Sequence, residues 1–524
     1  MTGVRKDKPN DDQNKSDSNS KKIPVHIGLF FDGTSNSMMN VKERKAYDKM
    51  NIKINHREEY YKNNDSHANE LSNVAAQYSM YLTTKEHYYS IYIEGIGTAP
   101  RPVDDEDELK ITIQEFLKKG TYDDSTLAKS IGYGAYGVNG KIERGVEKIK
   151  SLLLKIKNKK NQEDIEFELT LDVFGFSRGA AAARSFSSRI KSPKGDTHKF
   201  TASEVAYALS VSSPYPGQVY TPSMYNDILY KKMEEESRYK VCLKDELDAN
   251  GIKMAGDIKV NFLGLYDTVS SYGLSFSDDV KELALTIDNS IVEKVYQICA
   301  ADEYRKNFSL TLVEPFDRNV IIPGAHSDIG GGYGVKEENA ENFILYEKKH
   351  YPVRALLAMS SPLLWPLVGK VKSFVYAGNK TREELIDGGW YTEENVRAGK
   401  RYIKNTYQCI SLNMMIKECG ASKFAMKDVW KVVNKGIVYD FYKKLQSQTL
   451  YRFEGAPKKR KIRRVVPEVS QLEKDIRNQY LHLSSKGGEN LAKILLSPES
   501  IGIGSDRLVH APQPNNERVI FENK

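Results

Sequence analysis

The chain has 524 residues, several times the length of a typical domain, so it is long enough for a large core with substantial additions. Its composition, 40% hydrophobic and 28% charged, is typical of globular proteins and excludes a chain that is disordered throughout. Lys and Arg total 78 against 70 Asp and Glu, and the net charge of +8 is too small for this length to indicate nucleic acid as a partner.

The first 22 residues contain almost no side chain that could join a core, and they lack the apolar segment of a secretory signal. We therefore expect a disordered tail over residues 1–22 and no export through the Sec pathway. The longest uncharged apolar stretch, Ala355 to Gly369, contains two prolines and is shorter than the roughly 20 residues of a membrane-spanning helix. These features predict that the chain is not an integral membrane protein.

The predicted fold begins at residue 23 with a buried strand, PVHIGLFF (24–31), which ends at the turn-forming sequence DGTSN. A second strand is predicted at 88–93, before EGIGT, and a helix from about 130 to 156, where apolar residues recur at helical spacing. The clearest strand is 165–174, because apolar and mostly polar residues alternate along it. GFSRG follows this strand, and then comes the small-residue helix AAAARSFSSRI.

Residues 191–256 are rich in Tyr, Ser and Lys and are predicted to form an insertion rather than a further sheet layer. Further strands are predicted at 258–265, ending in YDTVSS, and at 319–322, ending in PGAHSDIGGGY. Strands that alternate with helical patterns indicate a mostly parallel α/β sheet. The predicted core is 23–336, and residues 337–524 are predicted to be mainly helical and to pack on this core as a cap.

The pentapeptide GFSRG fits the pattern G-x-S-x-G, in which small residues let the chain turn sharply from strand to helix and expose the serine hydroxyl. The pattern alone is weak, and an incidental turn is the alternative. Its position between the clearest strand and a small-residue helix favours Ser177 as a nucleophile. Such a serine needs a base within hydrogen-bond reach and a carboxylate that orients the base.

His326 is the favoured base, because it follows a predicted strand in a glycine-rich loop, whereas His350 lies in a charged run typical of solvent-exposed sequence. Asp267 is the favoured acid, because it ends a strand and would project from the same sheet edge as Ser177. Asp328 is the alternative, although an acid two residues from His326 more often caps its own loop.

Hydrolysis of an ester also requires hydrogen-bond donors for the oxyanion that develops. One predicted donor is the backbone N–H of Arg178, at the start of the helix, where the helix dipole favours negative charge. The second predicted donor is the loop FFDGTSN, in which Gly33 allows close backbone approach. For this loop the alternative is a plain turn that ends a strand.

Five motifs in order, FFDGTSN, EGIGT, DVFGFSRGAAAAR, FLGLYDTVSSYG and GAHSDIGGGY, resemble those of the alpha/beta-hydrolase lipase effectors of the bacterial type VI secretion system. The later segments YQCISLNMMIKECGAS and NQYLHLSS are similar to the C-terminal part of that family, so the resemblance extends from residue 23 to about 485. It implies an α/β-hydrolase fold and a catalytic triad of Ser177, Asp267 and His326. One departure is the long interval between Ser177 and Asp267, which bears on the shape of the lid and the acyl-chain preference.

The resemblance also implies phospholipase A activity and a role as an antibacterial toxin. The producing cell would hold the protein in its cytoplasm and deliver it, without a signal peptide, to the periplasm or membrane surface of a target cell. The implied partners are membrane phospholipid as substrate, a spike or tube protein of the secretion system, and a cognate immunity protein. The alternatives are a non-catalytic binding or adaptor protein on the same scaffold, and an esterase with a small soluble substrate.

Three weaker signals complete the interpretation. The segment LLAMSSPLLWPLVG contains candidate lipid contacts at Leu363, Leu364 and Trp365, although a core segment is the favoured alternative. The basic stretch KKRKIRR (458–464) is predicted to be a solvated loop. The four cysteines form no CxxC pair, and we expect no disulfide framework, no metal and no cofactor.

Overall fold

The computed structural model describes residues 21–49, 61, 64–99, 124, 136–160, 164–191, 242–270, 283–305, 308–334, 340–342, 382–398, 400–425, 436–457, 459–483, 518 and 520–521. Its strands, in chain order, are Lys21–Phe31 (β1), Tyr88–Ile93 (β2), Ile165–Phe176 (β3), Lys253–Met254 (β4), Lys259–Tyr266 (β5), Val295–Ala300 (β6), Leu310–Thr311 (β7), Asn319–Ile322 (β8), Ala340–Asn342 (β9), Lys400–Tyr402 (β10), Tyr451–Glu454 (β11), Lys461–Arg464 (β12) and Ile520–Phe521 (β13). Its α-helices are Met38–Asp48 (α1), Asp65–Ala68 (α2), Asn73–Met80 (α3), Val138–Lys160 (α4), Arg178–Ser188 (α5), Leu243–Ala249 (α6), His326–Gly330 (α7), Arg382–Asp387 (α8), Glu393–Ala398 (α9), Gln408–Cys419 (α10), Ile437–Ser447 (α11) and Gln471–Tyr480 (α12).

A seven-stranded sheet lies at the centre of the described structure, in the order β2-β1-β3-β5-β6-β8. The seventh strand, β4, pairs with the amino-terminal end of β3. Every ladder in this sheet is parallel. All of its strands therefore end at the same edge, and helices flank it on both faces. The prediction of a mostly parallel α/β sheet is confirmed.

Strand β3 illustrates why the sequence forms this sheet. Its first half alternates between buried and less buried residues, as expected for a strand with one face against the core, and from Leu171 to Phe176 every residue is buried. A parallel strand covered by helices on both faces needs apolar residues on both sides, and this is the pattern that β3 has at its carboxyl end. The strand extends two residues beyond the predicted end at Phe174.

Two hydrophobic clusters cover the two faces of the sheet. The first contains buried residues of α4 and α5, such as Ile142, Ile149 and Phe186, packed against β1 and β3. The second contains Phe30 and Phe174 of the sheet together with buried residues of α10, α11 and α12. The C-terminal helices thus pack on the sheet and form one layer of the core.

The structure differs from the sequence interpretation at three further points. Lys21 and Lys22, predicted to belong to a disordered tail, pair with the start of β3 as part of β1. The last part of the predicted insertion belongs to the core, because α6 contributes buried leucines and β4 pairs with β3. Strand β6 was not predicted, although it lies between β5 and β8 in the sheet.

The region after residue 336 also contains strands as well as helices. Strands β11 and β12 form an antiparallel hairpin. The last four residues of the basic stretch that is predicted to be a loop therefore form a strand, β12. Strands β9 and β10 form a second antiparallel pair. Within the described residues, no helix combines the length and the hydropathy that crossing a bilayer requires.

Candidate active site

The carboxyl ends of the parallel strands bring four of the sequence motifs to one edge of the sheet. FDGT follows β1, GFSRG overlaps the end of β3, YDT follows β5 and HSDIGGG follows β8. The chain order reverses between β1 and β3, since β2 lies on one side of β1 and β3 on the other. Crevices at such reversal points are the usual ligand sites of open α/β sheets.

Ser177 lies at the tight turn between β3 and α5. Its backbone has φ 59° and ψ −129°, a strained conformation for a residue with a side chain, and the residue is buried. The two glycines of the motif explain how the turn packs. A Cβ on Gly175 would lie 2.5 Å from Cα of Ala180, and a Cβ on Gly179 would lie 2.2 Å from the carbonyl oxygen of Asp32. This geometry is that of a nucleophile elbow.

Asp267 follows β5 directly and lies beside the serine turn. The N–H of Ser177 donates to the carbonyl of Tyr266, the residue before Asp267, at 3.0 Å. Asp267 also has a positive φ, 46°, and is completely buried. The strained backbone of Ser177 and the positive φ of Asp267 thus occur side by side at the ends of β3 and β5.

The Asp267 carboxylate accepts hydrogen bonds at both oxygens. Oδ2 lies 2.6 Å from Nδ1 of His326, and Oδ1 accepts the N–H of Ala300 at 2.8 Å. Arg518 donates to both oxygens, each at 2.7 Å. Burial alone would raise the pKa of Asp267, but the Arg518 guanidinium and the His326 hydrogen bond hold it at about 2. The group is therefore an anion at neutral pH.

His326 begins α7, and its ring lies between two phenylalanines. The ring centroid of Phe176, the residue before Ser177, is 4.7 Å away, and that of Phe308 is 4.9 Å away. Because Asp267 is ionised, Nδ1 carries the proton of the Nδ1–Oδ2 hydrogen bond, and Nε2 is left with its lone pair. Among the described residues, Nε2 has no hydrogen-bond partner. Burial lowers the pKa of His326, partly offset by Asp267, so the imidazole is neutral and can act as a base.

A second ion pair lies against the same histidine. Oε2 of Glu303 accepts the backbone N–H of His326 at 3.2 Å, and both Glu303 oxygens accept hydrogen bonds from Arg305. Burial would raise the pKa of Glu303, but the Arg305 guanidinium overcomes this effect and holds it at about 2. His326 is thus bound by two carboxylates, one at its ring and one at its backbone N–H, and each carboxylate is paired with a guanidinium.

Asp328, the alternative acid, serves a different histidine. Its Oδ1 lies 2.6 Å from Nδ1 of His482, and its Oδ2 accepts the backbone N–H groups of Ala325 and His482. The carboxylate therefore caps the start of α7 and joins it to the C-terminal region. The sequence argument that an acid at this spacing caps its own loop agrees with these contacts.

The loop FDGT lies directly beside the serine turn. Nε of Arg178 donates to Oγ1 of Thr34 at 3.0 Å, which joins the first residue of α5 to this loop. Asp32 is buried and accepts hydrogen bonds from Ser72 at 2.6 Å, from Tyr92 at 2.5 Å and from the N–H of Gly33 at 2.7 Å. The predicted second oxyanion donor, the Gly33 N–H, is therefore occupied by the neighbouring carboxylate and would have to leave it before it could bind an oxyanion.

The structure brings Ser177, Arg178, Asp267 and His326 together with the FDGT loop at one end of the sheet. Leu363, Leu364 and Trp365 lie outside the described residues. The sequence interpretation missed Glu303, Arg305 and Arg518. The first two follow β6, so recognition of that strand would have drawn attention to them, whereas nothing in the sequence around Arg518 distinguishes it. In the described part of the chain, no three His, Cys, Asp or Glu side chains cluster closely enough to hold a metal ion.

Comparisons with known proteins identify the family of this chain. Residues 26–358 match the family model for the catalytic domain of Tle1-like phospholipase effectors of the type VI secretion system, which is more than half of the chain. A solved structure of the Tle1 effector bound to the VgrG spike is similar with a TM-score of 0.49 and 20% identity, over 96% of this chain and 94% of that chain. An uncharacterized protein from Pseudomonas aeruginosa has a TM-score of 0.27 and 20% identity, over 60% of this chain and 42% of that chain. No curated protein matched.

Proposed function

Since this chain belongs to the Tle1-like family of phospholipase effectors of the type VI secretion system, we propose that it hydrolyses acyl esters of membrane phospholipids as a phospholipase A. Ser177 is the nucleophile, His326 the general base and acid, and Asp267 the carboxylate that orients His326. The observation that carries the proposal is the 2.6 Å contact between Nδ1 of His326 and Oδ2 of Asp267, at the sheet edge where Ser177 occupies its strained turn.

The proposed reaction proceeds in two steps through an acyl-enzyme. Oγ of Ser177 attacks the ester carbonyl carbon while Nε2 of His326 takes the hydroxyl proton. The bond to the glycerol oxygen then breaks, and His326 returns the proton to that oxygen, which releases a lysophospholipid. In the second step His326 takes a proton from water, the water attacks the acyl carbonyl, and a fatty acid leaves Ser177 with its proton restored.

The charges around His326 suit this cycle. Asp267 remains ionised and stabilises the imidazolium that forms when His326 accepts the proton. The backbone N–H of Arg178, in the first turn of α5, is the proposed oxyanion donor, because the positive end of the helix favours the developing charge. Gly33 would supply a second donor only in a state in which its N–H has left Asp32.

Delivery and partners follow from the family and are also proposals. We expect the protein to be transferred into a target cell by the secretion system, and to act at its membrane or in its periplasm. A spike or tube protein is the proposed carrier, and an immunity protein is the proposed inhibitor in the producing cell.

The experiment is to incubate the purified protein with vesicles of defined phospholipids and to identify the products by mass spectrometry. A free fatty acid together with a lysophospholipid is the expected result, and the position of the remaining chain distinguishes cleavage at sn-1 from cleavage at sn-2. Ser177→Ala should lower the rate by several orders of magnitude without unfolding the protein, because the members of such a triad act as a unit.

A fluorophosphonate probe separates this proposal from the two alternatives. An activated Ser177 should be labelled covalently, and the label should be absent from the Ser177→Ala variant. A folded protein that resists the probe and releases no fatty acid would be a binding or adaptor protein on this scaffold. Labelling together with turnover of a small soluble ester, but not of any vesicle, would indicate an esterase of small substrates.

A further inference from the structure

Arg518 forms a two-pronged ion pair with Asp267 across 251 positions of sequence. Nη1 donates to Oδ1 and Nη2 donates to Oδ2, both at 2.7 Å, which matches the fork geometry of a guanidinium against a carboxylate. Both side chains are almost completely buried, at 2% and 0% exposure. In such surroundings an ion pair persists only when its geometry is good and its remaining hydrogen-bonding groups are satisfied.

The other hydrogen bonds of Arg518 satisfy this condition and fix its position. Nε and Nη2 donate to the carbonyl of Phe308 at 3.0 and 2.9 Å, and Nη1 donates to the carbonyl of Ala300 at 2.9 Å. Two residues further on, β13 pairs in parallel with β7, and the N–H of Leu312 donates to the carbonyl of Phe521 at 2.9 Å. The backbone carbonyls of Phe308 and Ala300 thus hold the guanidinium beside the Asp267 carboxylate.

We propose that Arg518 is a positioning residue of the hydrolytic site, which holds Asp267 as an anion in the orientation that His326 requires and limits the proton affinity of the Asp267–His326 pair. This inference deepens the proposed function and rests on it. Arg518 would contact neither the lipid nor the reacting atoms, since it acts on His326 through the Asp267 carboxylate.

The Asp267 carboxylate binds both the His326 imidazole and the Arg518 guanidinium. Asp267 alone, buried beside His326, would attract a proton strongly onto the pair, and a permanently protonated histidine could not accept the proton of Ser177. The positive charge of Arg518 offsets this attraction, in addition to burial and Arg305, which lower the pKa of His326. The imidazole then stays neutral at rest and is still stabilised when it becomes charged. The same guanidinium removes rotational freedom from the carboxylate, because it binds both oxygens at once.

Other charged groups also face this pair: Arg305 lowers the pKa of His326 and Glu303 raises it, so their effects oppose one another. Glu303 and Arg305 neutralise one another through two hydrogen bonds, and they approach His326 at its backbone N–H rather than Asp267. The thiol of Cys299, in β6, stays neutral because burial raises its pKa. Arg518 is therefore the only cation among the described residues that binds the Asp267 carboxylate directly.

The test compares Arg518→Met, which removes the charge, with Arg518→Lys, which keeps it but loses the fork. The measurement is kcat/KM for a soluble short-chain ester as a function of pH, because its acidic limb reports the protonation of the free enzyme. Without the guanidinium charge the pair binds a proton more tightly. The acidic limb of the kcat/KM profile of Arg518→Met should lie about one to two pH units higher than that of the parent. Its kcat, measured at a pH above this limb, should be lower than that of the parent by about 10²-fold. Arg518→Lys should recover much of the shift in pH but less of kcat.

Arg184 supplies a matched control. It is an equally buried arginine that donates hydrogen bonds to the backbone carbonyls of Leu285, Thr311 and Leu312, the last two in or next to the same short strand β7. Arg184→Met should lower the melting temperature without moving the acidic limb. If Arg518→Met instead behaves like the control, with a lower melting temperature and the same acidic limb as the parent, that result overturns the proposal.

A second measurement distinguishes failure of this inference from failure of the proposed function. The titration of the His326 imidazole can be followed by NMR in protein labelled at histidine, with His326→Gln as the assignment variant. If the parent hydrolyses no ester, the proposed function fails, but the titration still tests the effect of Arg518 on the pair. A midpoint that is the same in the parent and in Arg518→Met overturns the inference whether or not the protein is an esterase.

Discussion

Nδ1 of His482 lies 2.6 Å from Oδ1 of Asp328, so the acidic residue nearest to His326 in sequence is bound to another imidazole. The candidate site therefore contains two adjacent His–Asp pairs of equal length with different surroundings. The Asp267–His326 pair lies at the serine turn and is joined to Arg518, whereas the Asp328–His482 pair caps α7 and stacks against Tyr333. This difference supports the proposal that the first pair acts in the chemistry and the second stabilises the loop that carries His326.

The two acids should respond differently to the same substitution. Asp267→Asn is expected to lower kcat on the order of 10⁴-fold, because the neutral amide favours the wrong tautomer of His326. Asp328→Asn should lower kcat by less than about 10-fold while it lowers the free energy of unfolding by ~2 kcal/mol, since it weakens hydrogen bonds to a buried carboxylate. Steady-state kinetics and thermal unfolding of both variants check this.

His482→Gln supplies the control for Asp328. A double-mutant cycle between Asp328 and His482 should show a coupling free energy in unfolding, because the two side chains share one hydrogen bond. If Asp328→Asn abolishes turnover and Asp267→Asn barely changes it, the orienting acid has been assigned to the wrong residue.

Displacement of the FDGT loop should damage catalysis. A Cβ on Gly95 would lie 1.7 Å from the carbonyl oxygen of Gly33, so Gly95→Ala must push this loop away from its position beside Ser177. If the loop supplies part of the oxyanion site, kcat should fall by about 10²-fold. The control is Gly256→Ala, because a Cβ there meets nothing within 4 Å. A Gly95→Ala enzyme with the kcat of the parent would exclude any role of this loop in the reaction.

Asp32 should give the folded protein a distinctive dependence on pH. Burial raises the pKa of its carboxyl from 3.8 to about 6, so between about pH 4 and 6 the folded state holds a proton that the unfolded state releases. Stability then falls as pH rises through this window, by ~3 kcal/mol in total for this one group. Asp32→Asn should remove that component, because an amide does not ionise.

Calorimetric melting temperatures measured from about pH 4 to pH 7 test the contribution of Asp32, with the difference between variant and parent as the quantity compared. Asp317→Asn, at an exposed position, provides the control for the exchange of Asp for Asn itself. A difference between Asp32→Asn and the parent that is constant across the range would contradict the assignment.

Leu363, Leu364 and Trp365 are the candidate lipid contacts to be tested. Replacement of all three with serine should weaken binding to vesicles and hydrolysis of their lipids, and should spare a short soluble ester because the catalytic residues are unchanged. Rates on the two substrates and the melting temperature are measured together. An equal loss on both substrates with a lower melting temperature would identify these side chains as core, the alternative that the sequence favours.

The sequence is sufficient to predict the residues at the centre of the candidate site, because each of them is marked by a pattern in its neighbouring residues. Ser177, Asp267 and His326 each come directly after a strand or its closing turn, and parallel strands end at the same edge of a sheet. Strands β2 and β8 were predicted with their observed bounds, because turn-forming residues follow both. Patterns of this kind can be recognised within about ten residues of chain.

The features that were missed depend on tertiary contacts. Strand β6 has the sequence VYQICA, which does not alternate, because a central strand is covered on both faces and needs no polar side. Arg518 stands in a polar stretch, NNERVIF, and becomes a partner of Asp267 only when β13 pairs with β7. The same limitation applies to His482, whose partner lies 154 positions earlier.

The distances along the chain between these partners have a consequence for the rate at which the protein folds. Asp267 and Arg518 close a loop of 251 residues, and even the pairing of β1 with β3 joins Lys21 to Ile165. Loops of this size form slowly, because their closure costs chain entropy before any contact repays it. We therefore expect a refolding chain to regain its helix and sheet content early and its hydrolytic activity late, after the final docking of the segment that carries Arg518.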